Sequence, residues 1–263
     1  MIDTHCHLTY DGLAERLDEV LAGAQQDGVD TMISIGTTLA DSALALQVAE
    51  HHPHVHATVG VHPHHAAQVG DEQAFLDEFR RLAHRQGVAA LGEMGLDCHY
   101  DDPPLTTQER AFALQLGLAA ESGLDKLPIV IHNREATDRT IAMVRESGLD
   151  PRRFVFHCFT GTAEELNKVL SLGVYVGFTG IVTFRSAAAL AEASDRVPID
   201  RLLVETDSPY LTPEPHRKVR PNEPRYVTHV ARFLAKRRKM SFEAFVQQVD
   251  DNARRFYRLT KNN

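Results

Sequence analysis

Tryptophan is absent from the 263 residues, and aromatic residues of all kinds make up only 7%. A core must therefore be packed from Leu, Val, Ile and Ala. Cysteine is scarce as well. Cys6, Cys98 and Cys158 lie 92 and 60 residues apart and form no Cys-x-x-Cys pair, an odd, sparse set that fits a reducing compartment. No run of about 18 apolar residues exists, so no membrane-spanning helix is expected. The opening Met-Ile-Asp-Thr-His-Cys-His lacks a basic region followed by an apolar stretch, so no signal peptide is visible and the expected location is the cytoplasm. Positive charge is in deficit: 28 Lys and Arg against 36 Asp and Glu leave a net charge of −8. That argues against a protein coating nucleic acid through a broad basic face, but not against an enzyme that meets phosphates in one metal-filled cleft. The Gly-x-x-x-x-Gly-Lys-Ser/Thr phosphate loop, the Gly-x-Ser-x-Gly elbow and the His-Glu-x-x-His helix are all missing.

What is present is an ordinary globular balance, 43% hydrophobic and 24% charged, in a chain long enough to bury one large core. Short apolar runs fall at 2–8, 31–36, 55–61, 89–95, 128–132, 154–159, 174–177 and 202–206. Between them lie segments of helical period; in the first, Leu13, Leu17, Val20, Leu21 and Ala24 recur on one face. Further helices are expected over 40–51, 73–86, 108–122, 135–147, 163–172, 187–196 and 224–238. Gly28, Gly87, Gly123, Gly148 and Gly173 each follow a helix and precede a strand, where a left-handed cap suits glycine. Eight strand–helix units predict an α/β chain folded as a single (β/α)8 TIM barrel over residues 1–263. The segment 241–258 reads as an extra C-terminal helix, with Phe242, Phe245, Val249, Ala253 and Phe256 on one side.

Histidines and carboxylates gather at one end of these strands. Strict alternation puts Asp3, His5 and His7 on one face of the first strand, in a barrel the interior. Glu93 is expected to close the fourth strand, His132 the fifth, His157 the sixth and Asp207 the eighth. Active sites of such barrels form where strands end. Four histidines and two carboxylates converging there would repel one another and pack poorly unless cations bound them, and that number of donors suits two divalent ions better than one. Glu93 is the natural bridge between them. Glu205, one layer below Asp207 on the same face, is expected to orient a ligand histidine, as is Asp3.

The other histidines divide by position. His51, His52, His54 and His56 sit at the opposite end of the barrel and read as a solvated turn. His62, His64 and His65 follow the third strand at the functional end, and His62 is a candidate for substrate contact. Arg134, after the fifth strand, could clamp a phosphate, or could pair with Glu135 or Asp138. Arg217 is the candidate among the basic groups after the eighth strand, with Lys218, Arg220 and Arg225 close by. The basic run 236–239 lies at the far end of the following helix and reads as a solvated helix terminus. Cys6 and Cys158 should point outward, toward the helix layer, as buried structural cysteines.

These residues stand in strings that resemble the TatD-like deoxyribonucleases, a branch of the metal-dependent amidohydrolase barrels. The strings are Asp-Thr-His-Cys-His (3–7), Val-Gly-Val-His-Pro-His (59–64), Leu-Gly-Glu-Met-Gly-Leu-Asp (91–97) and Leu-Pro-Ile-Val-Ile-His-Asn-Arg (127–134). They continue through His-Cys-Phe-Thr-Gly (157–161), Glu-Thr-Asp-Ser-Pro-Tyr-Leu-Thr-Pro (205–213), Arg-Pro-Asn-Glu-Pro (220–224) and the Asp-Asn-Ala-Arg-Arg-Phe tail. The resemblance spans nearly the whole chain in order. It implies a divalent-metal-dependent nuclease that trims DNA from the 3′ end, with His5, His7, Glu93, His132, His157 and Asp207 at the metal-ligand positions. Cys98, where an aromatic often stands, and Thr9, where Asp is frequent, depart from the pattern without touching a ligand.

The expectation is then phosphodiester hydrolysis at two divalent ions (Mg, Mn or Zn), with Asp207 and Glu93 as the catalytic carboxylates and DNA, or RNA, as substrate. One ion would be held by His5, His7, Glu93 and Asp207 and activate a water; the other, held by Glu93, His132 and His157, would polarise a phosphate oxygen. No obligate protein partner is expected. A small-molecule amidohydrolase or esterase could use the same barrel, although Glu93 stands where many such enzymes carry a modified lysine. A non-enzymatic scaffold held by its metals is disfavoured, because structural sites draw ligands from one local motif rather than from five distant strands.

Overall fold

The computed structural model describes residues 1–259. Eight parallel strands follow one another around a ring in chain order. They are β1 (Ile2–Cys6), β2 (Thr31–Ser34), β3 (Val55–Val59), β4 (Val88–Asp97), β5 (Ile129–Arg134), β6 (Phe154–Phe156), β7 (Tyr175–Phe178) and β8 (Leu202–Val204). The helices packed outside are α1 (Leu17–Gln26), α2 (Leu39–His51), α3 (Glu72–Ala83), α4 (Leu105–Ala119), α5 (Thr137–Glu146), α6 (Ala163–Leu170), α7 (Ala188–Ser194) and α8 (Val227–Arg237). A ninth, α9 (Phe242–Tyr257), is the C-terminal addition. The five glycines expected to cap helices all adopt positive φ, between 66° and 93°. Thr38, Asp71 and Thr162 cap α2, α3 and α6 through their side chains, the last in a reciprocal box with Glu165, so these helices start at defined points beside the strands' C-terminal ends.

The ring closes where β8 returns to β1. Asp207 N donates to His5 O at 2.9 Å, His7 N donates to Ser208 O at 2.8 Å, and Cys6 bridges Ser208 in parallel. Residues at the centre of the candidate site are thus the ones that join the last strand to the first. At the opposite end α9 covers the barrel floor. Phe256, Tyr257 and Ala253 pack against Ile2, Ile33, Val155, Tyr175 and Leu203. Its polar residues satisfy the strand ends: Asp250 accepts from Ile2 N, Asn252 donates to Leu202 O and Ile199 O, and Tyr257 OH donates to Thr4 O. The Asp-Asn-Ala-Arg-Arg-Phe tail is therefore a plug and carries no group to the mouth.

Two strands depart from the regular alternation. On β1, Asp3 pairs beside Met32 and Cys6 beside Ser34, three residues against two. The extra residue turns both Thr4 and His5 inward, Thr4 toward Glu205 and His5 toward Glu93. Asp3 does not share the face of His5, contrary to the period-two expectation; it accepts instead from Thr206 N and Oγ1 at 2.9 and 2.6 Å. A second irregularity lies between Leu91 and Met94 of β4, so Glu93 sits inside a long strand rather than closing it. Gly92 has φ +111°, and its backbone lies against Gly60 so closely that a Cβ on Gly60 would collide with it.

Candidate active site

The mouth of the barrel is a cavity of about 970 Å³, lined by His7, His62, Glu93, His132, His157 and Asp207 with a rim of tyrosines, threonines and Arg134. Its centre is Glu93, buried to 2% exposure. One carboxylate oxygen, Oε1, lies 2.6 Å from His157 Nε2, 2.9 Å from His132 Nδ1 and 3.5 Å from His62 Nε2. The other, Oε2, lies 3.4 Å from His5 Nε2. Asp207 Oδ1 is 3.2 Å from His7 Nε2 and 3.5 Å from His5 Nε2. Three overlapping donor groups result: His5, His7 and Asp207; His5, Glu93 and His157; His62, Glu93 and His132. The six expected ligands come together, and His62 joins them.

Bonds of about 2.0–2.2 Å to a divalent ion put neighbouring donor atoms roughly 3 Å apart, which is the spacing observed. One of these atoms is also an orphan: His5 Nε2, flanked by Glu93 Oε2 and Asp207 Oδ1, is buried with no hydrogen-bond partner. Buried polar atoms without partners are costly, and lone pairs facing carboxylate oxygens call for a cation between them. The residues fit a divalent metal.

The electrostatics follow from the same crowding. Burial works against charge on His157, yet the Glu93 carboxylate, with Glu205 behind the ring, pushes its pKa well above the usual range. Burial is likewise overcome at His7 by Asp207 and at His132 by Asp97 and Glu93, and both rise. Burial prevails at His5 and at His62, whose pKa values fall, with His157 and His132 respectively adding to the shift. Glu93 is driven up by burial but held well below the carboxylate range by His157, His62 and His132 around it.

The neighbours of the imidazoles constrain where their protons can sit. His64 N, which can only donate, points at His62 Nδ1 at 3.1 Å. A neutral His62 ring then carries its proton on Nε2, which lies 3.5 Å from Glu93 Oε1. His132 Nε2 is 2.9 Å from Asp97 Oδ2 and its Nδ1 is 2.9 Å from Glu93 Oε1, so Asp97 would keep the Nε2 proton if Nδ1 were given to a metal. Glu205 Oε1 faces His157 Nδ1 at 3.5 Å and accepts from Cys158 N at 2.6 Å, while Oε2 accepts from Thr4. Asp3 meets no ligand ring; it ties the β1 and β8 backbones together behind His5.

Asp97 belongs to the cluster, although the sequence motifs gave it no role. It binds both His132 and His64 at 2.9 Å. Its place four residues beyond Glu93 on one strand, with the same parity, was the available signal. Cys158 also departs from expectation. It has φ +42° and lines the cavity instead of facing the helices, whereas Cys6 is buried with its thiol donating to Ile33 O. The tract 51–56 stays at the far end and joins no metal-competent group among the described residues.

The basic candidates separate. Arg134 is the last residue of β5 and lines the cavity. The acids that could have paired with it are engaged elsewhere, Glu135 with His99 and Asp138 with Lys168. Arg217 does not line the cavity; its guanidinium stacks 3.6 Å over Phe184. Arg225 pairs with Asp27, and Arg220 is bound to Thr212 and to the carbonyls of residues 217 and 219. In the 236–239 run, Arg237 pairs with Asp195 and Arg238 donates to the carbonyls of Ser194 and Val197. That helix end is pinned to its neighbour rather than simply solvated.

A nearly closed parallel barrel whose C-terminal mouth collects imidazoles and carboxylates from five strands has the architecture of a metal-dependent hydrolase. The family model described as TatD related DNase matches residues 2–258, and the chain belongs to that family. It is 36% identical over 259 residues, 98% of this chain and 99% of the other, to a protein of Bacillus subtilis named uncharacterized metal-dependent hydrolase YabD. It is 39% identical over 264 residues, 98% of each chain, to a protein of Musicola paradisiaca named 3'-5' ssDNA/RNA exonuclease TatD. Among solved structures, YJJV, a TatD homolog from Escherichia coli, superposes with a TM-score of 0.89 at 27% identity, covering 99% of this chain and 98% of that one. The chain is a metal-dependent hydrolase of the TatD family.

Proposed function

We propose that the chain hydrolyses phosphodiester bonds of single-stranded DNA or RNA from the 3′ end, using two divalent ions (Mg, Mn or Zn). The observation that carries the reading is the division of Glu93, with Oε2 turned to His5 and Oε1 to His132 and His157. His5, His7, Asp207 and Glu93 would hold one ion, and Glu93, His132 and His157 the other. Bound there, the ions supply a water activated near neutral pH and a Lewis acid for a phosphate oxygen.

The chain's own groups do the rest. Asp207, partly open to the cavity, takes the proton of the attacking water as the bond to phosphorus forms and the bond to the leaving sugar oxygen breaks. His62, with its proton on Nε2, donates to negative charge gathering on the phosphoryl oxygens. Glu205 and Asp97 hold the His157 and His132 rings so that Nε2 and Nδ1 face inward. Arg134, unpaired among the described residues, is suited to a neighbouring phosphate. The relative named as a 3'-5' ssDNA/RNA exonuclease supports this substrate class.

Digestion of 5′-labelled single-stranded and duplex oligonucleotides, with Mg²⁺, Mn²⁺ or Zn²⁺ supplied in turn, tests the proposal. A ladder shortening from the 3′ end of single strands is expected. Cleavage of carboxylic esters or amides with no oligonucleotide product would overturn it.

A further inference from the structure

The rim of the cavity carries side chains that the ligand cluster does not use. Five large apolar side chains stand exposed among the described residues, and the two aromatic ones, Tyr100 and Tyr210, are 53% exposed each. Both line the cavity mouth, while Leu44, Leu105 and Val219 do not. The two tyrosines come from opposite sides. Tyr210 follows β8 and meets the ring of Tyr10, which follows β1, edge to face at 6.3 Å; Tyr10 stacks on His7 at 4.6 Å. Tyr100 follows β4, meets His64 edge to face at 5.2 Å and lies 5.5 Å beneath the guanidinium of Arg134 from β5. In a ring ordered β1 to β8, the β8–β1 seam and the β4–β5 pair are diametrically opposed. Glu93 and Asp207 lie between them.

Both residues are anchored. Tyr210 N donates to Asp207 O at 3.0 Å, and its carbonyl accepts from Asn222 Nδ2, which also holds Thr206 O at 3.1 Å. Tyr100 is propped by the rings of His64 and His99. An aromatic face left open to solvent at the lip of a cleft suits a flat, stackable ligand. Base–aromatic stacking is strong and tolerant of sequence, because every base has a π-face. A duplex keeps its bases paired and stacked on one another, so only a single strand can lay neighbouring bases on two separate platforms.

We propose that Tyr100 and Tyr210 stack the bases on either side of the phosphate being cleaved. The strand then lies across the mouth from the β8–β1 seam to the β4–β5 pair, with Arg134 on the phosphate beyond Tyr100. This rests on the phosphodiesterase reading above.

Kinetics of Tyr100→Ala, Tyr210→Ala and the matching Phe variants test it, on a decathymidylate and on the same strand made abasic at its terminal or penultimate position. Each Ala variant is expected to raise KM roughly 5- to 150-fold with kcat little changed, the range for one stacked base. Phe should restore affinity, and the penalty should vanish on the strand abasic at the matching position. A binding readout is 2-aminopurine at each of those two positions, in strands protected by terminal phosphorothioates. The wild-type protein should quench both probes, and each Ala variant should release one. Equal losses on intact and abasic strands, or losses in kcat alone, would overturn the stacking assignment while leaving the phosphodiesterase reading standing. No cleavage of any strand by the metal-loaded wild type would overturn both.

Discussion

The two ends of one barrel interior are built on opposite principles. At the floor, Ile2, Ile33, Val155 and Leu203 meet Phe256 and Tyr257 of α9, and the polar groups that reach this layer are hydrogen-bonded to strand ends. At the mouth, a few residues further along the same strands, His5, His157 and Asp207 converge with buried ring nitrogens left unpartnered. The floor gains from apolar burial and satisfied polar groups. The mouth leaves His5 Nε2 unpartnered between Glu93 and Asp207, a place that a cation would satisfy. Thr4 and Glu205 mark the boundary, one face toward Tyr257 and the other toward His157. Stability and function are thus separable along the barrel axis.

Substitutions at each end should break that comparison cleanly if it holds. The largest effect is expected at Asp207. Asp207→Asn should lower turnover by about 10²–10⁴-fold, the range for loss of a general base, with no drop in melting temperature. A variant that keeps its activity but melts early would erase the distinction between the ends.

The converse change is at the floor. Phe256→Ala removes a buried aromatic, 5% exposed, and should cost about 3–5 kcal/mol in denaturant unfolding. Activity per folded molecule should stay near that of the unmutated chain.

Metal should stabilise through the mouth alone. A divalent ion at about 100 times its dissociation constant should add roughly 2.7 kcal/mol to the stability of chelator-treated protein. Phe256→Ala should keep that increment. Glu93→Gln should lose most of it, together with metal content, because an amide cannot neutralise a cation's charge as a carboxylate does. Full metal occupancy in Glu93→Gln would remove Glu93 from the bridging position.

The smallest effects sharpen the boundary layer. Glu205→Gln and Asp97→Asn each leave the ligand rings in place but weaken their orientation. Each should cost about 10–100-fold in metal affinity or activity. Titration of metal into both variants, beside their turnover, checks this. Asp207→Asn retaining more activity than Glu205→Gln would reverse the roles of the two carboxylates.

The sequence-based expectations fared best where structure is local. Strand order and the helix-capping glycines follow from short-range period and spacing and lie where the pattern put them, and the six donors meet at the expected end of the barrel. Strand limits fared less well. The expected run 154–159 ends at Phe156 and 202–206 ends at Val204, so His157 and Asp207 lie in the loops that follow. The run expected to end at Gly95 continues to Asp97. Those limits depend on where a neighbouring strand stops offering hydrogen bonds, which no single segment encodes.

By itself the sequence determined which chemistry could assemble, since imidazoles and carboxylates at successive strand ends have one place to meet in a parallel barrel. It also determined the family, through strings that keep their order along the chain. Only the tertiary structure decided which atoms face which. The irregularities at Asp3–Cys6 and Leu91–Met94 arise from pairing with strands far away in sequence; the first turns His5 inward and Asp3 away. Asp97 became a partner of His132 because β4 and β5 lie side by side in register. Tyr100 and Tyr210 became opposed because the ring closes. Period and composition act over a few residues, whereas register and closure are properties of the whole sheet.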